Sequence, residues 1–315
     1  MTVSIGYWIA FFVFVVVMLG LDLGVVHRKD EVPTMKSALL ETGFWVLLAF
    51  IFCGIIWVTA GQGHAIDFLT GYLLEESLSI DNLFIFILVF AFFGIKPQYQ
   101  HRVLFWGIFG ALVMRLLFII GGAALLQRFA WLMYVFGAFL IYTGVSMFFK
   151  KDQEQDLDQN KFIRFLRRIL PVKDDVQQPH FLVHENGKTY VTQFLLALIF
   201  IEASDLMFAT DSIPAVLAVT QDTFIVVTSN IFAIMGLRSL YFAIAGLLPM
   251  FRYIKYGIAG ILTFIGLKMV LNEVGKMFGL PLEISNLTSL GVIVGLLIIS
   301  IGASVIVSRN EEHTH

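Results

Sequence analysis

The sequence predicts an all-α, polytopic membrane protein of about nine transmembrane helices, with an inverted 3+3 repeat formed by spans 3–5 and 6–8. Three observations predict it: a composition unsuited to a water-facing surface, apolar runs of bilayer-crossing length, and two acidic blocks with a common spacing. Of 315 residues, 58% are hydrophobic and 14% charged, against about a quarter charged in soluble domains. The bilayer is therefore the solvent. A formal net charge of −2 gives no basis for a nucleic-acid partner. One cysteine, Cys53, excludes an intrachain disulfide and a Cys-rich metal site.

Apolar segments fall at 4–26, 38–60, 66–93, 103–126, 130–149, 192–219, 223–248, 254–272 and 287–307, each near the length needed to cross a ~30 Å hydrocarbon core. The first lacks a basic n-region and a small-residue cleavage site, so it reads as a retained span rather than a signal peptide. With the amino terminus outside, sixteen of the 21 Lys and Arg residues lie on the cytoplasmic side, which predicts an N-out, C-in topology. Together the spans form a single transmembrane domain over 1–315.

The one sizeable polar segment, 150–191, reads as a cytoplasmic loop in two parts. Residues 161–170 alternate basic and apolar side chains at near-helical spacing, as an amphipathic helix on an anionic leaflet does. Asn186-Gly187 between apolar flanks is a hairpin signal.

The repeat is visible in three landmarks. Glu75 stands six residues before Asp81, and Asp205 six before Asp211. Gly107-Ile-Phe-Gly and Asn230-Ile-Phe-Ala each lead to an arginine, Arg115 or Arg238. Gly137 and Gly260 each follow their arginine by 22 residues. A three-helix unit repeated in tandem enters the membrane from the opposite face the second time, an arrangement secondary transporters use to build a site near the midplane.

The chemistry lies in carboxylates inside apolar runs: Glu75, Glu76 and Asp81 in span 3, Glu202, Asp205 and Asp211 in span 6, and Asp22 at the end of span 1. Each costs about 3 kcal/mol by insertion scales unless something pairs with it. Seven such acids face three embedded cations, Arg115, Arg238 and Lys268. Pairing absorbs three acids at most; the rest must be protonated, meet water or hold a cation. Oxygen donors dominate, with Asn82 and the hydroxyls of Ser79 and Ser212 beside the acids and no His or Cys in either block. Such a set suits manganese, calcium or magnesium rather than zinc or copper. On unbroken helices Glu75, Ser79 and Asn82 share a face while Asp81 lies about 120° from Glu75; Glu202 and Asp205 share a face and Asp211 points away. Pro214 cannot donate to the Thr210 carbonyl, so a kink beside Asp211 that exposes carbonyl oxygens is expected.

These blocks, Glu75-Glu-Ser-Leu-Ser-Ile-Asp-Asn82 and Glu202-Ala-Ser-Asp-Leu-Met-Phe-Ala-Thr-Asp-Ser-Ile-Pro-Ala215, resemble the paired signatures of the TerC family, especially its Alx-like bacterial members. Leu21-Asp-Leu-Gly24, Thr228-Ser-Asn-Ile-Phe-Ala-Ile-Met-Gly-Leu-Arg238 and Lys255-Tyr-Gly257 extend the likeness over nearly the whole chain. The resemblance implies a bacterial inner-membrane protein tied to manganese export, metal loading of exported enzymes, alkaline-pH response or tellurium-oxyanion resistance. It implies Glu75, Asp81, Glu202, Asp205 and Asp211 as ion-path residues, and it requires no acid at Glu76.

The expected function is export of a hard divalent cation, Mn²⁺ ahead of Ca²⁺ or Mg²⁺, with no organic cofactor. Protons compete for the same carboxylates, so proton exchange is the coupling to test. An alternative is an assembly protein that recruits secreted metalloenzymes or secretion machinery. An intramembrane aspartyl hydrolase using Asp81 and Asp211 is disfavoured, because the Gly-x-Gly-Asp signature of presenilin-type enzymes is absent.

Overall fold

The structure is a computed structural model that describes residues 4–21, 33–129, 131–149, 163, 166, 168–173, 180–185, 187–245, 254–280, 282 and 284–312. Among them are nine long helices: α1 (Ile5–Leu21), α2 (Met35–Ala60), α3 (Gln62–Phe92), α4 (Pro97–Arg128), α5 (Leu132–Phe149), α6 (Gln193–Val219), α7 (Thr223–Ala245), α8 (Ile254–Phe278) and α9 (Asn286–Glu312). Seven of them, all but α1 and α3, are long and apolar enough to cross a membrane. The helix α1 is described over 17 residues. The 31 residues of α3 include Asp67, Glu75, Glu76 and Asp81. The protein is a polytopic all-α membrane protein. Asp22 and the predicted end of the first span lie outside the described residues.

Helix boundaries follow local chemistry. Thr34 caps α2 by accepting from the Ser37 N–H at 3.2 Å, and Pro97 opens α4 where its missing N–H costs nothing. Gly61, at φ 94°, makes the tight turn between α2 and α3. Within α6 the helix runs unbroken through Pro214. The expected kink therefore does not interrupt the helix, although the Thr210 carbonyl still has no N–H donor at that position.

In the polar segment, strands β1 (Val172–Lys173), β2 (Leu182–Glu185) and β3 (Lys188–Thr192) form a small sheet in the order β1-β3-β2. β2 and β3 pair antiparallel around Gly187, whose φ is 72°. Of the stretch 161–170, residues 163, 166, 168 and 169 are helical. Leu170 is a bend and the others lie outside the described residues.

Helix α7 occupies the centre and is buried along almost its whole length. Around it pack α2, α3 and α4; α3 also meets α6 and α9, α4 meets α6, and α5 pairs with α8. The α5–α8 contact is close because both helices present glycine. A Cβ on Gly266 would come within 2.7 Å of the Gly137 carbonyl oxygen, so only hydrogen fits. Large apolar side chains on α1, α2, α4 and α9, such as Val58, Leu117 and Ile299, point outward, as lipid-facing positions should.

The buried apolar side chains form two clusters. The first gathers α1, much of α2, the N-terminal halves of α3 and α7, and the C-terminal halves of α4 and α6. The second gathers the opposite ends of α3, α4, α6 and α7. Along α3 the change of cluster falls between Leu78 and Leu83, and along α6 between Ile201 and Ala209. Ser79 and Asn82 lie in the first interval and Glu202, Ser204 and Asp205 in the second, whereas Glu75 and Glu76 stand just before the first and Ser212 just after the second.

Candidate functional site

Arg115 of α4 stands where four helices meet. Its Nε donates to Asp205 Oδ2 at 3.2 Å and its Nη2 to Oδ1 at 2.8 Å, a two-pronged grip on the α6 carboxylate. Its Nη1 forms an ion pair with Glu75 Oε1 of α3. The second Glu75 oxygen accepts from Asn230 Nδ2 of α7 at 2.8 Å. Arg115 is 2% exposed, Glu75 0%, Asp205 2% and Asn230 1%. One acid from each acidic block is thus held on a single guanidinium, and two carboxylates against one guanidinium leave this buried set one negative charge in excess.

The surrounding polar groups are sparsely satisfied. Ser79 Oγ, Asn82 Oδ1, Ser212 Oγ and Glu76 Oε2 are buried and have no hydrogen-bond partner among the described residues. Buried hydroxyl, amide and carboxyl oxygens without partners are costly, and they are hard donors of the kind a divalent cation uses. Ser79 and Asn82 share the helical face of Glu75, as the spacing predicts. Glu202 points to α4, where it lies against Gly110; a Cβ at that position would occupy the space of its carboxylate. Both Glu202 and Asp205 therefore address α4, as their shared helical face requires.

The other predicted basic groups have partners on the flanking helices. Arg238 lies 4.0 Å from Glu41 Oε2 of α2. Lys268 donates from Nζ to Asn286 Oδ1 at 2.6 Å, and Asn286 Nδ2 donates to Asp67 Oδ1 at 2.6 Å. Pro214 is buried within α6. The side chains of Asp81 and Asp211 lie outside the described residues. Among those that are described, no group of three or more His, Cys, Asp or Glu is arranged to hold a metal ion.

Sequence reasoning missed Asn230, Glu41, Asp67 and Asn286. Asn230 was visible as an amide inside the apolar run of span 7, within one of the repeat landmarks. Glu41 and Asp67 stand close to span ends, where an acid can reach water and raises no alarm. Asn286 heads α9 and reads as a helix-start residue.

The Integral membrane protein TerC family model matches residues 60–312. An "Uncharacterized membrane protein" of Myxococcus xanthus is 48% identical, over 98% of this chain and 94% of the relative. Alx of Salmonella typhi, described as a proposed membrane-bound redox modulator, is 43% identical over 93% of this chain and 92% of its own. Alx of Escherichia coli, under the same description, is 41% identical with the same coverage. No solved structure matches. On a family match spanning four-fifths of its length and bacterial relatives alike from end to end, the chain belongs to the TerC family of integral membrane proteins.

Proposed function

We propose that the protein exports a hard divalent cation, Mn²⁺ first among them, from the bacterial cytoplasm through the carboxylates of α3 and α6. One observation carries this reading: Glu75 and Asp205, from separate acidic blocks, share one buried guanidinium, and Asp205 stands where α6 passes from one apolar cluster to the other. A charged site bordered by dry apolar packing towards both ends of the helices suits alternating access, because opening one side leaves the other as a seal. Arg115 acts as the protein's own cation. A divalent ion drawn by the excess negative charge competes with the guanidinium, and Arg115 returns to the acids when the ion departs. Ser79, Asn82, Ser212, Glu202 and the Asp81 and Asp211 positions are the further oxygen donors, and Glu76 is dispensable as a ligand.

The packing supports the repeat. The first helices of the two units, α3 and α6, touch; so do the second, α4 and α7, and the third, α5 and α8. The crossed pairs α3–α7 and α4–α6 also touch. A two-fold relation between the two units would produce this pattern. With N-out, C-in orientation, the hairpin lies in the cytoplasm. The relatives' description as redox modulators fits a redox-active metal cargo. It does not fit a dithiol, because the sole cysteine, Cys53, is buried and directed at the Ala65 carbonyl.

The test is Mn²⁺ flux into proteoliposomes loaded with a fluorescent metal indicator. Glu75→Gln and Asp205→Asn should each lower the initial rate at least tenfold, with protein in the membrane at wild-type level. Wild-type rates in both variants would refute the reading. A wild-type protein that moves no Mn²⁺, yet co-purifies secreted metalloenzymes, would favour the assembly alternative.

A further inference from the structure

Away from the acidic centre, a cavity of about 400 Å³ opens at the membrane face where α2 begins, α3 ends, α4 begins and α7 ends. Its walls are apolar, with Ile87 and Ala91 on α3 and Phe242 and Ala245 on α7. Among the described residues its polar lining is the Gln100–Tyr241 pair, in which the Tyr241 hydroxyl donates to Gln100 Oε1 at 2.9 Å. That hydroxyl is already engaged, so the interior suits hydrocarbon.

The rim has the opposite character. Met35 and Pro97, which line the cavity, are the first residues of α2 and α4. Two helix N-termini, each with the positive end of its dipole, therefore converge on one opening. No side chain caps the N-terminus of α4. Two lysines adjoin these residues, Lys36 beside Met35 and Lys96 beside Pro97; both are exposed, and neither has an ion-pair or hydrogen-bond partner among the described residues. Among the described residues that line the cavity none is acidic.

An apolar trough with a positively charged rim at a membrane face matches an amphiphile whose anionic headgroup sits at the interface. We propose that this groove binds an anionic phospholipid, its acyl chain along Ile87, Ala91, Phe242 and Ala245 and its phosphodiester held by Lys36, Lys96 and the N-termini of α2 and α4. The lipid wedges between the first helix of one repeat and the second helix of the other, so its occupancy bears on how these helices separate. The site does not rest on the transport reading, and its test involves no metal.

The full chain, purified in detergent and stripped of lipid, is titrated with phosphatidylglycerol or with phosphatidylcholine of the same chains, and bound lipid is counted by native mass spectrometry. One phosphatidylglycerol should bind in preference to phosphatidylcholine. Each rim lysine contributes roughly fivefold in affinity, so Lys36→Gln with Lys96→Gln should weaken phosphatidylglycerol binding on the order of twentyfold and leave phosphatidylcholine unchanged. Ala91→Trp should abolish binding of both by filling the trough, while the lysine variant, altered only at exposed positions, keeps the test independent of folding. Equal binding of the two lipids, an unaltered affinity in the lysine variant, or a doubled mass with no lipid bound would each overturn the proposal. The last would assign the groove to a second copy of the chain.

Discussion

Replacing Arg115 by methionine removes the positive charge that bridges two buried acids, Glu75 and Asp205, and the size of the effect can be worked from the geometry. At 2.8 Å and an effective dielectric near 20, the gross attraction between Arg115 and Asp205 is about 6 kcal/mol. Taking each ion out of water costs several kcal/mol, so the intact cluster is close to neutral in its net contribution. The variant keeps the desolvation cost of Glu75 and Asp205 and loses the attraction, which destabilises by about 3–5 kcal/mol. Thermal unfolding in detergent, followed by intrinsic fluorescence, should show a fall in Tm on the order of 5–10 °C. Combining Arg115→Met with Glu75→Gln and Asp205→Asn removes the charges together and should restore most of the loss. A single variant within about a degree of wild type, or a triple variant as unstable as the single, would refute the claim that these three groups form one charge-balanced unit.

Asn230→Ala takes away the donor to Glu75 Oε2; an unsatisfied buried carboxylate oxygen costs about 1–3 kcal/mol, read as a drop of a few degrees in the same unfolding assay. Gly266→Ala forces a methyl group against the Gly137 backbone and should destabilise by about 1–3 kcal/mol. A Gly291→Ala control, where a Cβ meets nothing within 4 Å, should unfold like wild type.

The sequence made the acids of α3 and α6 legible because a carboxylate in an apolar run has few bland explanations. It could not say which arginine they would share. Spacing along one helix sets relative rotation on that helix, but the rotation of α4 against α3 and α6 is decided by packing. Gly110 and Gly107, across α4 from Glu202 and Ile201, help to set that packing, and their role appears only when the partner helix is in place. The hairpin was readable from Asn186-Gly187 because a two-residue turn is a local matter. The run 192–219 through Pro214 was readable as one span and appears as one helix, since neighbouring helices hold a membrane helix together after one hydrogen bond is lost. Glu41 beside Arg238 and Asn286 beside Lys268 were not legible, because they come from α2 and α9, the helices flanking the repeats, and helix-to-helix packing decides which of their faces meet the basic groups.

No residue separates strand β3 from helix α6: Thr192 ends the strand, accepts from the Phe194 N–H at 3.2 Å, and donates its hydroxyl to the His180 carbonyl at 2.6 Å. Thr192 therefore welds the hairpin to the first turn of the helix. Thirteen residues beyond Thr192, about 20 Å at the helical rise, α6 carries Asp205. Anything that tilts the hairpin, whether a bound protein or a crosslink, works as a tiller on that carboxylate without touching the membrane.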